Sequence, residues 1–316
     1  MASPGPDIWP ALPYAALRPT LETLHLWTQV VGKVRLARTP WVNHSWHATF
    51  YVSARGLTTS LIPHGAVGFE LEFDFFASAL VARVSDGGED RVALAPGSVA
   101  DFHAELSGKL ARLGVAVEID VHPNELPDAT PFPQDTVLRD YEPDAAHRFW
   151  WALVQCDRVF RQFRTRFIGK CSPVHFFWGS FDLAVTRFSG RPAPLHPGGV
   201  PHLPDAVARE AYSHEVSSAG FWPGGGTVEH AAFYSYSYPA PAGFAEAIVA
   251  PADAHFDPQL GEFLLPYDAV RTASDPDGLL LGFLQSTYDA AADTGHWDRT
   301  ALDIDEGQLG RPRLVG

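Results

Sequence analysis

The 316-residue chain has few cysteines and lacks long apolar runs. Its two cysteines, Cys156 and Cys171, are too few for a disulfide framework or a four-thiolate zinc site, and no CxxC motif is present. No apolar run is long enough to cross a bilayer, and no basic segment precedes an apolar stretch at the N-terminus. These absences predict a soluble protein of the reducing cytoplasm, without a secretory signal.

Positive charge is also scarce. Lysine occurs only at Lys33, Lys109 and Lys170, and the formal net charge is -14 at pH 7. Nucleic-acid backbones and anionic membranes bind basic surfaces, so we expect neither as a partner. The 46% hydrophobic and 12% aromatic content is typical of a folded protein with a sizeable core. A small-molecule partner is the remaining expectation, and the oligomeric state stays open.

Several motifs of cofactor-dependent and nucleophilic enzymes are missing. The glycine run 224–226 has no lysine and no helical pattern after it, so it does not predict a phosphate-binding loop. Neither a G-x-S-x-G nucleophile motif nor an H-E-x-x-H zinc motif occurs. We therefore expect no organic cofactor.

The most informative stretch that is present spans residues 174–191, V-H-F-F-W-G-S-F-D-L-A-V-T-R-F-S-G-R. Its alternation and its β-branched and aromatic content predict one long strand. One face would carry His175 and Phe181, and the other would carry Trp178, Ser180 and Asp182, because side chains alternate along a strand. The second face is unusual, since it places a carboxylate in the most apolar third of the chain.

The remaining periodicities predict an α+β protein with mainly antiparallel sheets and helices packed on one face of each. Apolar stripes of helical spacing predict the helices, and alternating residues predict the strands. The predicted helices cover residues 19–36, 98–114 and 143–167, and a last one starts at Pro276.

The chain divides into two halves that echo each other. Each half has a helix, a Gly-Lys pair, a His-led aromatic strand, further strands and a helix. His44, in a predicted strand over residues 41–56, aligns with His175, and Tyr51 then aligns with Asp182. The halves predict two similar lobes, residues 1–126 and 127–316, packed as one unit, and one interpretation of the echo is an internal repeat.

Convergence of the two polar strand faces would create a site for acid/base chemistry. A carboxylate beside apolar rings has a raised pKa, as a general base near neutrality requires. We expect Asp182 to be the acid or base, assisted by His214 and Glu215. The expected substrate-binding residues are His47, Tyr51, Arg55, Trp178 and Ser180. The corresponding activity would be that of a cofactor-independent hydrolase, lyase or isomerase, including cyclisation.

Other interpretations of these residues stay open. Asp182 is equally suited to a structural pair with Arg187 or Arg166, and a buried histidine is often only a core residue. A metal-dependent enzyme would use His47, His175, His214 and either Glu215 or Asp182 to hold zinc or iron. A non-catalytic protein that binds an apolar ligand in an aromatic cavity is the third hypothesis.

Four phrases of the sequence resemble a family of bacterial proteins described only as a domain of unknown function. They are L-H-L-W-T-Q-V-V-G at 24–32, Y-V-S-A-R-G-L-T-T at 51–59, the 174–191 stretch, and residues 212–226. The resemblance covers nearly the whole chain and implies a stand-alone soluble protein of about this size. It implies no activity, substrate or catalytic residue.

Overall fold

The computed structural model describes residues 8–127, 130–226 and 228–313. These residues form seven α-helices and two six-stranded antiparallel sheets, so the predicted α+β fold with two sheet lobes is confirmed. The helices are α1 (Tyr14–Arg38), α2 (Val99–Arg112), α3 (Pro143–Arg164), α4 (Asp205–Ala211), α5 (Tyr267–Arg271), α6 (Pro276–Thr294) and α7 (Arg299–Leu302).

The first sheet has the strand order β1-β2-β4-β5-β6, and β3 pairs with β4. Its strands are β1 (Tyr51–Val52), β2 (Gly56–Thr58), β3 (Ile62–His64), β4 (Val67–Asp74), β5 (Ala79–Val84) and β6 (Glu89–Ala93). The second sheet has β7 (His175–Phe177), β8 (Asp182–Pro192), β9 (His214–Trp222), β10 (Ala232–Tyr238), β11 (His255–Asp257) and β12 (Glu262–Pro266). Its order is β11-β12-β10-β9-β8-β7.

The long helices begin where their capping residues predict. The Ser98 hydroxyl accepts a hydrogen bond from the Asp101 N–H at 3.0 Å, which satisfies one of the free donors at the start of α2. The Asp275 carboxylate accepts in the same way from the Gly278 N–H at the start of α6. Helix α1 is the exception: it begins at Tyr14, so Pro19 lies inside the helix and not in its first turn as predicted, and its missing N–H leaves one helical hydrogen bond unmade.

The predicted single strand over 174–191 is wrong. Residues 178–181 form a turn between β7 and β8, and Phe181 has a φ of 61°. The indole of Trp178 packs against Gly32 of α1, and its Nε1 donates to the Ala48 carbonyl at 2.8 Å, so the turn is held by burial of the ring. Antiparallel pairing of Phe177 with Asp182 then puts His175 on the same face as Asp182, contrary to the alternation expected of one strand.

The predicted strand over 41–56 is also mostly wrong. Asn43–Ser45 forms a short 3-10 turn in which His44 and Ser45 have positive φ, and only Tyr51–Val52 is a strand of the first sheet. The His44 ring hydrogen-bonds the Ala211 carbonyl at 2.7 Å, a tertiary contact that local alternation does not reveal. Phe50, just before β1, forms an isolated antiparallel bridge with Phe176 of β7.

That bridge joins the facing edges of the two sheets. The Phe50 N–H donates to the Phe176 carbonyl at 2.8 Å, and the Phe176 N–H donates to the Phe50 carbonyl at 2.7 Å. Buried side chains of α1, α3, α6 and both sheets belong to one contiguous hydrophobic core. The lobe boundary and the internal repeat stay predictions.

The two faces of the second sheet differ in character. Phe221 and Phe233 share the face that packs on the helices, and the Phe233 ring lies 6.3 Å from that of Phe160 in α3. Residues one position away along each strand point to the opposite side, which we call the outer face. The outer face carries Asp182, Ala184, Thr186, Ser218, Gly220, Tyr234, Tyr236 and Glu262.

Candidate functional site

The outer face contains a buried carboxylate held by two hydroxyls. Asp182 opens β8 and is only 6% exposed. Its Oδ1 accepts a hydrogen bond from the Ser180 hydroxyl at 2.5 Å, and its Oδ2 accepts one from the Tyr234 hydroxyl. Burial raises the pKa of Asp182, and the two hydroxyl donors oppose this rise only in part. Among the described residues no cation pairs with it, so this carboxylate differs from a structural ion pair.

Tyr234 reaches Asp182 because the strand between them carries a glycine. Gly220 of β9 lies opposite Tyr234 of β10 and opposite Ala184 of β8. A Cβ at Gly220 would lie 2.4 Å from the Tyr234 hydroxyl oxygen, so only glycine leaves room for the ring to cross β9. The Tyr234–Asp182 contact therefore depends on three neighbouring strands.

Glu125 approaches the same carboxylate from the loop after residue 121. Its Oε1 lies where a side chain at Gly179 would be, 2.0 Å from an ideal Cβ position. Burial, followed by the charge of Asp182, raises the pKa of Glu125 to about 7. In the described part of the chain, the Glu125 carboxylate has no hydrogen-bond or ion-pair partner.

The loop that carries Glu125 is anchored to helix α1. The Gln29 amide donates to the Asn124 carbonyl at 2.9 Å and accepts from the Asn124 N–H at 3.0 Å. The Glu125 N–H donates to the Pro201 carbonyl at 2.9 Å, and Glu125 itself has a φ of 64°. A non-glycine residue in this region costs about 1 kcal/mol or more, so surrounding contacts must hold it there.

A third carboxylate, Glu262, joins the cluster from β12. Burial raises the pKa of Glu262 to about 7, and the charges of Asp182 and Asp257 add to this rise. Like charges that share a low-dielectric region resist simultaneous ionisation, so the three acids titrate as a coupled group. Two of them therefore exchange protons near neutral pH.

Aromatic rings complete the outer face. Tyr234 and Tyr236 have nearly parallel rings with centroids 6.1 Å apart, and the Tyr236 hydroxyl hydrogen-bonds the Tyr212 hydroxyl at 2.7 Å. His25 of α1 stacks on Phe181 at 4.8 Å, and its Nε2 lies 2.8 Å from the Gly179 carbonyl. Burial lowers the pKa of His25 to about 4, so this ring is neutral at pH 7 and positions the turn.

A family model matches residues 9–304 of the chain, nearly its whole length, and its description is a family of unknown function, DUF5996. The chain belongs to this family. No curated protein and no solved structure matches it. The arrangement of side chains is therefore the only guide to the chemistry of this DUF5996 member.

The structure brings together only part of the site expected for this family member. Asp182 and Ser180 lie in the cluster, and Ser180 is exposed, so solvent reaches one rim. Trp178 lies in the turn beside them, but its ring faces Gly32 and its Nε1 is bonded to Ala48. The expected stacking of Trp178 on a substrate is replaced by core packing.

His214 and Glu215 lie at the far end of β8. His214 pairs with Pro192, ten residues along β8 from Asp182, a separation of about 30 Å at the usual strand rise. The Glu215 carboxylate accepts hydrogen bonds from Ser189 and Arg191, each at 2.8 Å. These two residues therefore do not assist Asp182, because the continuous strand β8 separates them from it.

His47, Tyr51 and Arg55 do not converge on Asp182 either. Arg55 binds Asp74 of the first sheet with two hydrogen bonds of 2.5 and 3.0 Å. The Nδ1 of His47 lies 3.1 Å from the Val42 carbonyl, and the Tyr51 ring lies 5.9 Å from the guanidinium of Arg35. Each therefore has a local partner in the first half of the chain.

The histidines of the metal hypothesis are dispersed. Among the described residues, no group of three His, Cys, Asp or Glu side chains is arranged to hold a metal ion. His175 is 1% exposed with both ring nitrogens unpartnered, and burial lowers its pKa to about 3. It packs edge-on against Phe177 at 4.7 Å, so it is a neutral core residue.

Two surface depressions lie outside this cluster. One has a volume of about 350 Å³ along α6 and is lined by Gly278, Gly282 and Gln285, among others. The other, of about 480 Å³, lies where Arg38 at the end of α1 meets the segment that contains Glu118. Neither lining brings together several groups with raised pKa values, so we assign the chemistry to the outer face. Within the described ranges, no helix is apolar and long enough to cross a membrane.

Proposed function

We propose that this DUF5996 protein is an enzyme that performs acid/base chemistry on a small molecule at the outer face of the second sheet. The observation that carries the proposal is the contact of Asp182 with Tyr234 beside two further acids, Glu125 and Glu262, with no cation paired to them in the part of the chain that the structure describes. Structural carboxylates in a protein interior are normally paired. Unpaired acids with raised pKa values are a common property of active sites.

The cluster supports a division of roles. Glu125 and Glu262 have pKa values of about 7, so each is available both as carboxylate and as carboxylic acid at neutral pH. In this scheme one of them removes a proton from the substrate. The Asp182–Tyr234 pair contacts the reacting group from the other side and returns a proton to it. Hydrolysis, elimination, isomerisation and cyclisation all require such paired transfers, and none of them needs an external oxidant or reductant.

The same proposal includes a cytoplasmic location. Cys156 and Cys171 are both free, with Cys156 fully buried, as suits a reducing compartment. The net charge of -14 is unfavourable for nucleic-acid partners, so the proposed partner is a small molecule. No organic cofactor or metal is part of this proposal.

The test is a product search with a matched pair of variants. Wild type, Asp182→Asn and Asp74→Asn are each incubated with a library of small metabolites, and products are identified by mass spectrometry and chromatography. We expect wild type and Asp74→Asn to form the same product, and Asp182→Asn to be slower by at least about 100-fold per folded molecule. The Asn side chain keeps the size and an acceptor oxygen, so Asp182→Asn should unfold within a few degrees of wild type. A folded Asp182→Asn protein with wild-type turnover would refute the proposal.

A further inference from the structure

The charges around the proposed active site are one-sided. The groups that act on the pKa values of Asp182, Glu125 and Glu262 are hydroxyls, a backbone N–H and other acids. Among the described residues, none of these three acids forms an ion pair, although the structure contains many such pairs elsewhere. His25 is neutral at pH 7 because burial lowers its pKa to about 4. The negative charge of the three acids is therefore not balanced by a cation among the described residues.

The three tyrosine rings beside the acids, which we call the ring wall, also favour a bound cation. Tyr212, Tyr234 and Tyr236 lie on or beside the outer face, the charge of Glu262 acts on all three, and that of Asp182 acts on Tyr212 and Tyr234. The face of an aromatic ring is electron-rich and attracts cations. His196 stacks on Tyr212 at 4.8 Å, and its Nδ1 accepts the Gly198 N–H, which fills one of its two nitrogens.

The spacing of the acids argues against a bare metal ion as that cation. A divalent metal needs its ligand atoms within about 2–2.6 Å of one point. In the described part of the chain, no three His, Cys, Asp or Glu residues approach this arrangement. An organic ammonium group suits acids that are spread around a ring wall, because its N–H groups point in several directions and its carbon body packs on rings.

We infer that the substrate of this site is an organic amine that binds in its ammonium form, with its charge among Asp182, Glu125 and Glu262 and its carbon body on the tyrosine rings. The inference rests on the proposed function, since it names the substrate class of the same face. An anionic substrate would meet three acids and, among the described residues, no lysine or arginine paired with them, so the same geometry disfavours carboxylates and phosphates.

The inference has a specific proton signature. A bound ammonium favours the ionised form of each nearby carboxyl group, so Glu125 and Glu262 lose protons when the amine binds near pH 6.5. At pH 8 both groups are already mostly ionised, and binding releases few protons. The other titratable groups that face this cluster are His25, His196, Asp257 and the three tyrosines.

The experiment is isothermal titration of the full chain with benzylamine, benzyl alcohol and benzoate. These probes share one ring and differ in charge. At pH 8 we expect benzylamine to bind at least about tenfold more tightly than benzyl alcohol, and benzoate not to bind. At pH 6.5, titrations in two buffers of different ionisation enthalpy should show proton release with benzylamine alone.

Matched variants locate the site. Glu125→Gln with Glu262→Gln should weaken benzylamine binding by about tenfold or more and remove the proton release, whereas Glu118→Gln, on the exposed segment after α2, should change neither. Equal binding of benzyl alcohol, tighter binding of benzoate, or no saturable binding of benzylamine would each overturn the inference. Benzylamine binding with no turnover of any compound would instead refute the enzyme, and turnover of a compound without an amine would refute the amine inference alone.

Discussion

The acids on the polar faces of the two sheets have different hydrogen-bond partners. In the first sheet, Asp74 is bound by Arg55 through two hydrogen bonds, and Glu72 accepts from Ser53 at 2.7 Å and from Arg83 at 2.8 Å. In the second sheet, the side chains that donate to Asp182 within the described residues are the hydroxyls of Ser180 and Tyr234. Both sheets belong to one chain and share one core. The same fold therefore pairs Asp74 and Glu72 of the first sheet with arginines, and leaves Asp182 of the second sheet without an arginine or lysine partner among the described residues.

The consequences for protonation are opposite. Burial alone would raise the pKa of Asp74, but the hydrogen bonds from Arg55 and from backbone N–H groups lower it below its usual value. Burial raises the pKa of Asp182, Glu125 and Glu262, and no cation within the described ranges reverses the shift. The lowered pKa of Asp74 contributes to the stability of the folded state near neutral pH, whereas the raised pKa values of Asp182, Glu125 and Glu262 decrease that stability there. Such a cost is expected of a site that performs chemistry.

Removal of the Tyr234 hydroxyl should have the largest effect on turnover. Tyr234→Phe deletes the donor to Asp182 and keeps the ring, so we expect turnover to fall by about 100-fold. Tyr238→Phe is the matched control, because Tyr238 lies on the same strand and donates only to the Pro194 carbonyl at 3.0 Å. Steady-state rates of the two variants decide the matter: equal rates would show that the Asp182–Tyr234 contact is structural.

The pH dependence of stability should separate the two kinds of acid. Glu125 and Glu262 have folded pKa values of about 7 against an ordinary value of 4.5, so the folded state holds extra protons between these values. Their contribution to stability is complete below pH 4.5 and is lost as the pH rises through 7. The double variant Glu125→Gln, Glu262→Gln should therefore gain about 5 kcal/mol of stability relative to wild type between pH 5 and pH 8.

Urea unfolding of both proteins at the two pH values measures this difference. The comparison with the double variant is needed because His25 and His175 have lowered pKa values, of about 4 and 3. Their contribution to stability is lost as the pH falls below 6.5. In wild type measured by itself this loss would partly hide the glutamate effect, but it is the same in both proteins and cancels in the comparison. A constant difference between the two proteins from pH 5 to pH 8 would contradict the raised pKa values.

A smaller effect is expected in the first sheet. Asp74→Ala removes the acceptor for Arg55 and for the N–H groups of Phe76 and Ala77, which lie 3.0 and 2.9 Å from its Oδ1. We expect a loss of about 1–2 kcal/mol in the free energy of unfolding, since partly buried donors lose their partner. Turnover per folded molecule should be unchanged. A selective loss of turnover with full stability would show that the site extends to the first sheet.

Sequence patterns revealed the fold class better than the site. The α2 and α6 starts followed from Ser98 and Asp275, whose capping chemistry is local. The turn at 178–181 was missed because a Trp-Gly-Ser-Phe segment satisfies strand alternation, and only the packing of Trp178 on Gly32 decides otherwise. Local periodicity does not report such tertiary contacts.

The site residues, too, could be predicted only where their signal is local to the sequence. Asp182 stood out because a carboxylate in an apolar stretch is visible in the sequence. Tyr234 and Tyr236 gave a signal as well, since alternating tyrosine and serine in β10 puts the rings on one face. Glu125 gave none: it lies in a proline-rich loop, and its approach to Asp182 depends on the absence of a side chain at Gly179.

The most direct test of the account is a carbon-13 NMR titration of the side-chain carboxyl groups, assigned with the Glu125→Gln, Glu262→Gln and Asp74→Asn variants. The account predicts that Glu125 and Glu262 titrate near pH 7 and that Asp74 titrates below its usual value. Titration of Glu125 and Glu262 near 4.5, as in an exposed glutamate, would contradict it, because the outer face would then hold no acid able to exchange protons at neutral pH.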